Sequence, residues 1–386
     1  MTHMPKKLIS KLDTRAKDKT LRVLAAPNNL VDFSSNDYLG FAQNESLFSK
    51  IFQVVLRENI SQNGATGSRL ITGNHKLYPI LEEYLAKFHE TQAALVYNSG
   101  YDANIGFFSA VPQRGDFVFY DEYIHASIRD GIGMGNAKGY KFKHNDLNDL
   151  KGVIENLKLN TSEQADAEVY VVTESVFSMD GDTPDLKVFV KFCKEKGYHL
   201  IVDEAHAVGV LGKNGKGLVQ DLGLQDQVFA RMVTFGKAMG VHGAAVLGSA
   251  ALKEYLVNFS RSFIYSTGLS PHAVASILAS YEFLNAEGKG EREQLAEKLS
   301  YFKEQLKKYK LDSHFIESSS AIQSCIVPGV KKVKTVSEKL QNDGFKIKAI
   351  LSPTVPEGQE RLRFCLHSYN SKEEIGLVLK LLSGYL

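Results

Sequence analysis

The chain has 386 residues, of which 44% are hydrophobic and 23% charged, and its 46 Lys and Arg against 44 Asp and Glu give a formal net charge of +2. This composition is that of an ordinary soluble protein, and the near balance of charge gives no reason to expect nucleic acid or an anionic membrane as a partner. The sequence has no apolar run suited to a membrane span, no apolar signal segment at its start, and three distant cysteines that suit neither disulfides nor zinc, so we expect a cytoplasmic protein.

The N-terminal part of the sequence predicts helices and a glycine-rich loop. Apolar residues at helical spacing predict an amphipathic helix within residues 8–24, and further helices over 45–57 and 75–88. The loop Gly64-Ala-Thr-Gly-Ser-Arg69 lies between the last two helices. We expect residues 1–44 to form an N-terminal helix and arm.

Short apolar runs then alternate with helical patterns, and this alternation predicts a sheet. The runs are rich in Val, Tyr, Phe and Ile, and they cover Ala93–Tyr97, Phe117–Tyr120, Val169–Thr173, His199–Val202, Met232–Phe235 and Ala244–Leu247. The helical patterns lie between most of them, at about 101–110, 125–132, 146–157 and 185–196. Because polar residues do not alternate with apolar ones in these runs, they predict an α/β domain over residues 45–275, with a mostly parallel sheet covered on both faces.

The pattern changes after Ser270-Pro271 and predicts a second, smaller domain. Residues 271–310 have the pattern of long helices with Glu and Lys on their exposed faces. A strand, a helix, two strands and a last helix are expected at Ala321–Val327, 332–342, 345–350, 361–366 and 372–384. We therefore expect a C-terminal α+β domain over residues 276–386.

Several familiar ligand-binding motifs are incomplete in this sequence. Gly131-Ile-Gly-Met-Gly135 lacks the third glycine of a dinucleotide fingerprint, and no Gly-Lys pair is followed by the Ser or Thr of a phosphate-binding P-loop. Asp180-Gly181-Asp182 lacks the rest of a calcium loop, so we interpret it as a turn and expect no metal.

Polar side chains that could carry out chemistry stand just after predicted strands. Asp203 and His206 follow one strand, and Lys237 follows another. In a parallel sheet, ligands collect at the carboxyl ends of the strands. A lysine in a desolvated site can become a Schiff-base nucleophile, and an Asp that faces a pyridine nitrogen would keep that nitrogen protonated.

Each of these residues has a plainer interpretation when it is taken alone: a strand-end cap, a loop histidine or a surface charge. Their joint occurrence at strand ends favours a site. Gly236 and Gly240 beside Lys237 would leave room for a flat ligand, and a helix that opens at Gly100 would offer free backbone N–H groups to a phosphate. His125 alone would be a helix cap or a surface residue.

Four longer motifs resemble a known family. They are Asn36-Asp-Tyr-Leu-Gly40, Thr173-Glu-Ser-Val-Phe-Ser-Met-Asp-Gly-Asp182, Asp203-Glu-Ala-His206 and Thr234-Phe-Gly-Lys-Ala-Met-Gly240. These motifs are similar to those of the α-oxoamine synthases, and the match runs from about Leu21 to Tyr369. Members of that family are pyridoxal-phosphate (PLP) enzymes of the aspartate-aminotransferase fold, fold type I. They are PLP-dependent acyltransferases that condense an amino acid with an acyl-CoA and release carbon dioxide.

The resemblance implies roles for the residues around the ring of PLP. Lys237 would hold the cofactor as a Schiff base and then deprotonate Cα of the amino acid, and Asp203 would pair with the pyridinium nitrogen. His206 and Ser178 would lie by the phenolic oxygen, and His125 would stack on the face of the ring.

The resemblance also implies how the phosphate of PLP is held. The backbone of Gly100 and Tyr101 and the side chain of Thr234 would bind the phosphate, with Asn104 nearby. Thr267 would reach the phosphate of a neighbouring subunit, because the active sites of the family lie at the interface of a homodimer.

The stretch Ser352–Arg363 resembles the members that join pimeloyl-CoA to L-alanine in biotin synthesis. In those members Arg363 would bind the carboxylate of the amino acid, since its fork of donors suits two oxygens. Thr354 would lie by the substrate, and Arg22 near the acyl-CoA or its distal carboxylate. Leu351 departs from the Arg that these members usually have at that position.

Other functions stay open on the sequence alone. Within the family, serine palmitoyltransferase and 2-amino-3-ketobutyrate CoA ligase share the same core motifs. Outside it, a nucleotide-dependent dehydrogenase would need a phosphate fingerprint that the sequence lacks, and a non-catalytic binding protein would not need Lys237, Asp203 and His206 together.

Overall fold

The N-terminal arm of the protein pairs with the C-terminal part of the chain. The structure, a computed structural model, describes residues 4–18, 20–24, 29–157 and 166–386. Helix α1, Lys6–Lys17, is shorter than predicted and buries none of its residues. Strand β1, Val31–Asp32, pairs in parallel with β10, Phe345–Lys346, so the arm joins the C-terminal region before the main sheet begins.

The larger part of the chain is built on a seven-stranded sheet. Its strands are β2 Ala93–Tyr97, β3 Phe117–Asp121, β4 Lys138–Phe142, β5 Val169–Glu174, β6 His199–Asp203, β7 Ala230–Thr234 and β8 Ala244–Gly248. Their order is β2-β8-β7-β6-β5-β3-β4, and the five strands from β7 to β4 run parallel. β8 is antiparallel to both of its neighbours. The prediction of a mostly parallel sheet is confirmed.

Helices cover this sheet and connect its strands. They are α2 Glu45–Arg57, α3 Leu77–Phe88, α4 Gly100–Phe108, α5 Ala126–Met134, α6 Leu147–Asn156, α7 Leu186–Lys196, α8 Leu218–Asp221, α9 Ala250–Phe259 and α10 Arg261–Ile264. The helices at 45–57, 101–110, 125–132, 146–157 and 185–196 were predicted to within two residues.

Both faces of the sheet are buried, as a mostly parallel sheet requires. In β5, Val172 packs in a cluster with Phe107 on one face, whereas Val171 packs in a cluster with Phe189 on the other. Burial of each such side chain stabilises the fold by roughly 1.5–3 kcal/mol. Two-sided burial explains why the sequences of these strands are apolar throughout.

The C-terminal part forms a separate small sheet. Its elements are α11 Pro271–Ala286, α12 Lys289–Lys308, β9 Ile322–Ile326, α13 Val330–Asn342, β10 Phe345–Lys346, β11 Lys348–Ile350, β12 Arg361–Cys365 and α14 Lys372–Tyr385. Strands β11, β12 and β9 are antiparallel neighbours in that order. The single strand predicted over 345–350 is in fact two, because Phe345–Lys346 pairs with the N-terminal arm and Lys348–Ile350 with β12. Within the described residues, no helix has the length and apolarity that crossing a membrane requires.

Candidate active site

Lys237 lies in the loop that follows β7, at the carboxyl end of the main sheet. Its Nζ is 2.7 Å from His206 Nε2. Burial lowers the pKa of Lys237 to about 8, against the opposing effect of the carboxylates of Asp203 and Glu174. In a fraction of the molecules Lys237 is therefore a neutral amine near neutral pH. A neutral amine can act as nucleophile or base.

Asp203 ends β6, next to the loop of Lys237, and is 6% exposed. Its Oδ1 accepts from Ala205 N at 2.9 Å, and its Oδ2 accepts from Asn104 Nδ2 at 3.1 Å. Asn104 is also bound to Ser127 Oγ at 3.0 Å. The resemblance implied a place for Asn104 near the phosphate; in the structure its amide lies against the carboxylate of Asp203 and orients it.

His206 stands between Lys237 and a buried tyrosine. Its Nδ1 is 2.7 Å from Tyr38 Oη, and its Nε2 faces Lys237 Nζ. Burial and then the nearby Lys237 lower the pKa of His206 well below its ordinary value. The ring is therefore neutral near neutral pH, with one nitrogen as donor and the other as acceptor.

His125 precedes α5 and caps it, since its Nδ1 accepts from Ser127 N at 3.3 Å and lies 2.7 Å from Ser127 Oγ. Its backbone N donates to Glu174 Oε1 at 2.6 Å. Glu174 is opposite Asp203 in the parallel register of β5 and β6, which brings His125 to the same sheet edge. Burial lowers the pKa of His125. His125 is thus a helix cap, as the plainer interpretation expected, and it also lies at the sheet edge that carries the site.

The start of α4 forms another side of the site. Ser99 caps this helix by accepting from Asp102 N, which leaves the N–H groups of Gly100 and Tyr101 available, as at the first turn of any helix. A Cβ at Gly100 would lie 3.6 Å from Thr234 Oγ1, so the glycine and the hydroxyl are neighbours. The Tyr101 side chain turns away and donates to Asp130.

Arg363 reaches the site from β12 and is 7% exposed. Its Nε donates to the backbone oxygen of Ser178 at 2.6 Å, and its Nη2 donates to Asn36 Oδ1 at 3.0 Å. Asn36 Oδ1 also lies 3.1 Å from Tyr38 Oη. A guanidinium from the small sheet is thus linked to the loop after β5 and to the N-terminal arm.

Three further predicted site residues are exposed. Thr267 is exposed, and its backbone oxygen accepts from Asn98 Nδ2 at 2.8 Å, close to the start of α4. Arg22 and Thr354 line a surface cavity of about 680 Å³ between the N-terminal arm and α13, and Leu351 lines it as well.

The glycines around Lys237 have different surroundings. Gly240 has φ +67°, and a Cβ there would collide with the backbone at Ala42, so the close approach of the arm accounts for this glycine. Gly236 has only Val241 O, at 3.5 Å from an added Cβ, as a neighbour. The expectation of open space beside Lys237 therefore holds for Gly236 and is wrong for Gly240.

His144, Asp180 and Asp182 form a cluster whose ligand atoms lie within 4.8 Å of one another, as some metal sites do. Each of them already has a partner of opposite charge. His144 binds both Asp121 and Asp182, which raises its pKa to about 9 in spite of burial, and Asp180 pairs with the guanidinium of Arg361. The protein's own cations thus balance these carboxylates.

Two residues of the site were given no role from the sequence. Tyr38 belongs to the motif Asn36–Gly40, and Glu174 ends β5, but both side chains look like ordinary core or strand-end residues in sequence. Only the fold brings Tyr38 within 2.7 Å of His206, over 168 positions of sequence separation. The signal that could have found Glu174 is its place at a strand end beside Asp203.

Comparisons with known proteins show the family of the chain. The family model for aminotransferase class I and II matches residues 28–380. An 8-amino-7-oxononanoate synthase of Emericella nidulans is 38% identical over 388 residues, which covers 96% of this chain and 93% of that protein.

Solved structures give the same result for the fold. A serine palmitoyltransferase from S. paucimobilis, solved with a bound PLP–myriocin aldimine, superposes with a TM-score of 0.87 at 25% identity, covering 98% of this chain and 96% of that one. An 8-amino-7-oxononanoate synthase from Francisella tularensis superposes with a TM-score of 0.76 at 28% identity, covering 93% and 98%. These findings confirm the expected fold type I and the expected resemblance, and the chain belongs to the aminotransferase class I and II family and, within it, to the α-oxoamine synthases.

Proposed function

We propose that this protein is a PLP-dependent acyltransferase that condenses L-alanine with pimeloyl-CoA and releases CoA and carbon dioxide, giving 8-amino-7-oxononanoate for biotin synthesis. The observation that carries the proposal is the Lys237 amine, held 2.7 Å from His206 at the sheet edge that Asp203 also occupies. The similarity to 8-amino-7-oxononanoate synthases over most of the chain supports the choice of substrates.

The donor set of the site fits PLP. The buried carboxylate of Asp203, oriented by Asn104, suits a protonated ring nitrogen. The free N–H groups at the start of α4 and the nearby Thr234 hydroxyl suit a phosphate. When bound, PLP supplies a ring that withdraws electrons from Cα of the amino acid. Lys237 would hold the cofactor covalently.

The residues around Lys237 have separate roles in binding and in proton transfer. The Lys237 amine takes the proton from Cα, which its lowered pKa of about 8 allows near neutral pH. With PLP bound, Asp203 would keep the proton on the ring nitrogen, His125 would cover one face of the ring, and His206 and Ser178 would lie by the phenolic oxygen.

Arg363 binds the carboxylate of the amino acid. Its guanidinium is nearly buried and is held by Ser178 O and Asn36 Oδ1. A planar fork of donors in such a place binds two carboxylate oxygens and fixes the orientation of Cα. Loss of the carboxylate as carbon dioxide would leave this guanidinium free for the next substrate.

The cavity that contains Arg22 and Thr354 is the place we assign to the acyl-CoA. Basic residues line it, and they suit the phosphates of CoA or a distal carboxylate: Arg15, Arg22, Lys334 and Lys348. Leu351 adds an apolar wall to this cavity. An acyl-CoA substrate and the three buried free thiols fit a location in the reducing cytoplasm, which we also propose.

A homodimer completes the phosphate end of the site. Ile71 is 79% exposed and Tyr265 is 72% exposed, and the bridge between Ser68 and Thr267 joins their two loops. Large exposed apolar side chains next to each other are typical of an interface. A second copy seated there would bring its Thr267 to the phosphate.

Covalent attachment of PLP tests the chemistry. Protein loaded with PLP should be yellow, lose the colour with borohydride and carry the added mass on the peptide that contains Lys237. Lys237→Ala should abolish the labelled peptide and reduce kcat by at least about 1,000-fold. Lys216→Ala, which removes a surface lysine paired with Glu90, is the control and should label normally. Label on another peptide, or none, would refute the proposal.

A CoA-release assay tests the substrates. Alanine, glycine and serine are each paired with pimeloyl-, acetyl- and palmitoyl-CoA, and kcat/KM is compared. We expect the highest value for alanine with pimeloyl-CoA. The highest value for serine with palmitoyl-CoA would contradict the substrates proposed here while leaving the chemistry at Lys237 in place.

A further inference from the structure

Tyr38 is a buried residue of the site that the proposed function does not use. Its side chain is fully buried, and two groups lie close enough to accept the proton of its hydroxyl, besides the guanidinium of Arg363, which is also bound to it. His206 Nδ1 is at 2.7 Å and Asn36 Oδ1 at 3.1 Å. The hydroxyl has a single proton, so it can donate to only one of them.

The shorter of the two contacts indicates which neighbour receives that proton. Oη lies 2.7 Å from His206 Nδ1 but 3.1 Å from Asn36 Oδ1, and the proton favours the nearer acceptor. Asn36 Oδ1 already accepts from Arg363 Nη2 at 3.0 Å, so it is satisfied without Tyr38.

We propose that Tyr38 is a positioning residue that donates to Nδ1 of His206 and thereby holds the proton of this ring on Nε2. The Nε2–H then points at Lys237 Nζ, 2.7 Å away. If Lys237 were an ammonium, its N–H groups would face the Nε2–H of His206, and two donors would oppose each other. A neutral amine can instead accept the hydrogen bond from Nε2–H with its lone pair. Tyr38 thus favours the neutral, reactive form of Lys237.

The same tautomer serves the loaded enzyme. With PLP bound to Lys237, an Nε2–H donor on His206 can bind the phenolic oxygen of the cofactor. The other charged or titratable groups that face His206 are Arg363 and His125, and neither has a hydrogen bond to the imidazole among the described residues. Tyr38 is therefore the group that decides the tautomer. This last step rests on the proposed function, whereas the tautomer itself does not.

The chain offers a matched control. Tyr281 is also fully buried and also binds a buried histidine, with its hydroxyl 3.0 Å from His89 Nε2, but this pair lies outside the site. Tyr38→Phe and Tyr281→Phe each remove one buried hydroxyl with almost no change of volume. A merely structural role for Tyr38 would make the two variants behave alike.

The first measurement is nitrogen NMR of the full-length protein labelled on histidine, with and without PLP. The signals of His206 are assigned by their absence in His206→Gln. We expect the Nε2–H tautomer in the wild type and in Tyr281→Phe, and loss of that preference in Tyr38→Phe. The Nδ1–H tautomer in the wild type would overturn the inference, whether or not Tyr38→Phe folds.

The second measurement is a pH titration of the visible absorbance of the PLP-loaded protein. Loss of the donor to the phenolic oxygen should raise the midpoint by about one pH unit in Tyr38→Phe and reduce kcat about tenfold, with KM for the amino acid within about twofold. Tyr281→Phe should match the wild type. Equal midpoints in both variants would overturn the inference. A wild type that binds no PLP would instead refute the proposed function. The NMR result would still decide whether Tyr38 sets the tautomer of His206.

Discussion

Asp203 is the residue of the site whose charge can be removed while the shape of its side chain is kept. Asn at this position keeps nearly the same volume and can still accept from Ala205 N, but it cannot hold a proton on a ring nitrogen. The Asn104 amide that orients the carboxylate would face an amide in the variant. The charge of Asp203 can therefore be tested with the fold kept.

We expect Asp203→Asn to reduce kcat by at least about 100-fold, because stabilisation of charge in the reacting state is lost. The control is Asp116→Asn, a buried carboxylate that accepts from backbone N–H groups of Gln113 and Glu168 away from the site. Both kcat and the melting temperature are measured for each. A loss of activity in Asp203→Asn no larger than in Asp116→Asn would contradict the assigned role.

His144 makes stability depend on pH. Burial opposes its charge, but hydrogen bonds to Asp121 and Asp182 raise its pKa from 6.5 to about 9. A histidine with a raised pKa stabilises the fold fully below the ordinary value, and this stabilisation is lost as the pH rises through the raised value. The window is therefore about pH 6.5 to 9, and the contribution is at most about 3 kcal/mol.

Melting temperatures of the wild type and His144→Gln should differ most near pH 6, and the difference should shrink towards zero above about pH 9. His199→Gln is the control, because His199 also binds a carboxylate, Glu168, but at an exposed position. It should change the melting temperature little. A gap between wild type and His144→Gln that stays constant across this range would contradict the assignment.

At the scale of elements, the loop of residues 178–182 ties the two sheets together. Every residue of this loop has a partner. The partners are Arg363 for Ser178, Ser324 for Met179, Arg361 for Asp180, Ser318 for Gly181 and His144 for Asp182. Four of these partners belong to the C-terminal part, so the loop places Arg363 relative to the sheet edge that carries Lys237.

Gly181 is the tightest point of this loop. Its φ is +79°, and a Cβ would collide with the carbonyl oxygen of Ile322 in β9. We expect Gly181→Ala to destabilise the protein by about 3 kcal/mol or more, through backbone strain and displacement of β9. Gly197→Ala is matched in φ, at +71°, but has open space around it and should cost only about 1–2 kcal/mol. Urea unfolding of both variants checks the difference, and equal losses would show that the contact with β9 does not matter.

The sequence predicts strands and helices well where burial allows only one pattern of apolar residues. β2 was expected at its observed bounds, because a strand buried on both faces must be apolar throughout. β4, Lys138–Phe142, was not expected, since this edge strand is mostly exposed and carries two lysines. The carboxyl ends of β6 and β7 supplied Asp203 and Lys237 to the predicted site. Tyr38 and Arg361 act through contacts over long sequence separations, which no local pattern contains.

At the scale of the whole molecule, the site draws on every part of the chain. The arm supplies Tyr38, the main sheet supplies Asp203 and Lys237, and the small sheet supplies Arg363. The proposed phosphate end borders open surface at the exposed Thr267, whose backbone oxygen accepts from Asn98. A partner that covers this surface would therefore affect binding of PLP as well as assembly.

Ile71→Asp tests that partner. A charge placed in an apolar interface must be desolvated, and in a two-fold dimer the substitution occurs twice, so we expect the dimer dissociation constant to rise by at least about 100-fold. Because the partner's Thr267 would leave the phosphate, affinity for PLP should fall with the fraction of dimer. Leu377→Asp, an exposed apolar position on α14, is the control and should change neither quantity. Sedimentation equilibrium and PLP titration at the same protein concentrations measure both. An Ile71→Asp protein that assembles and binds PLP like Leu377→Asp would show that the surface around Ile71 is not the interface.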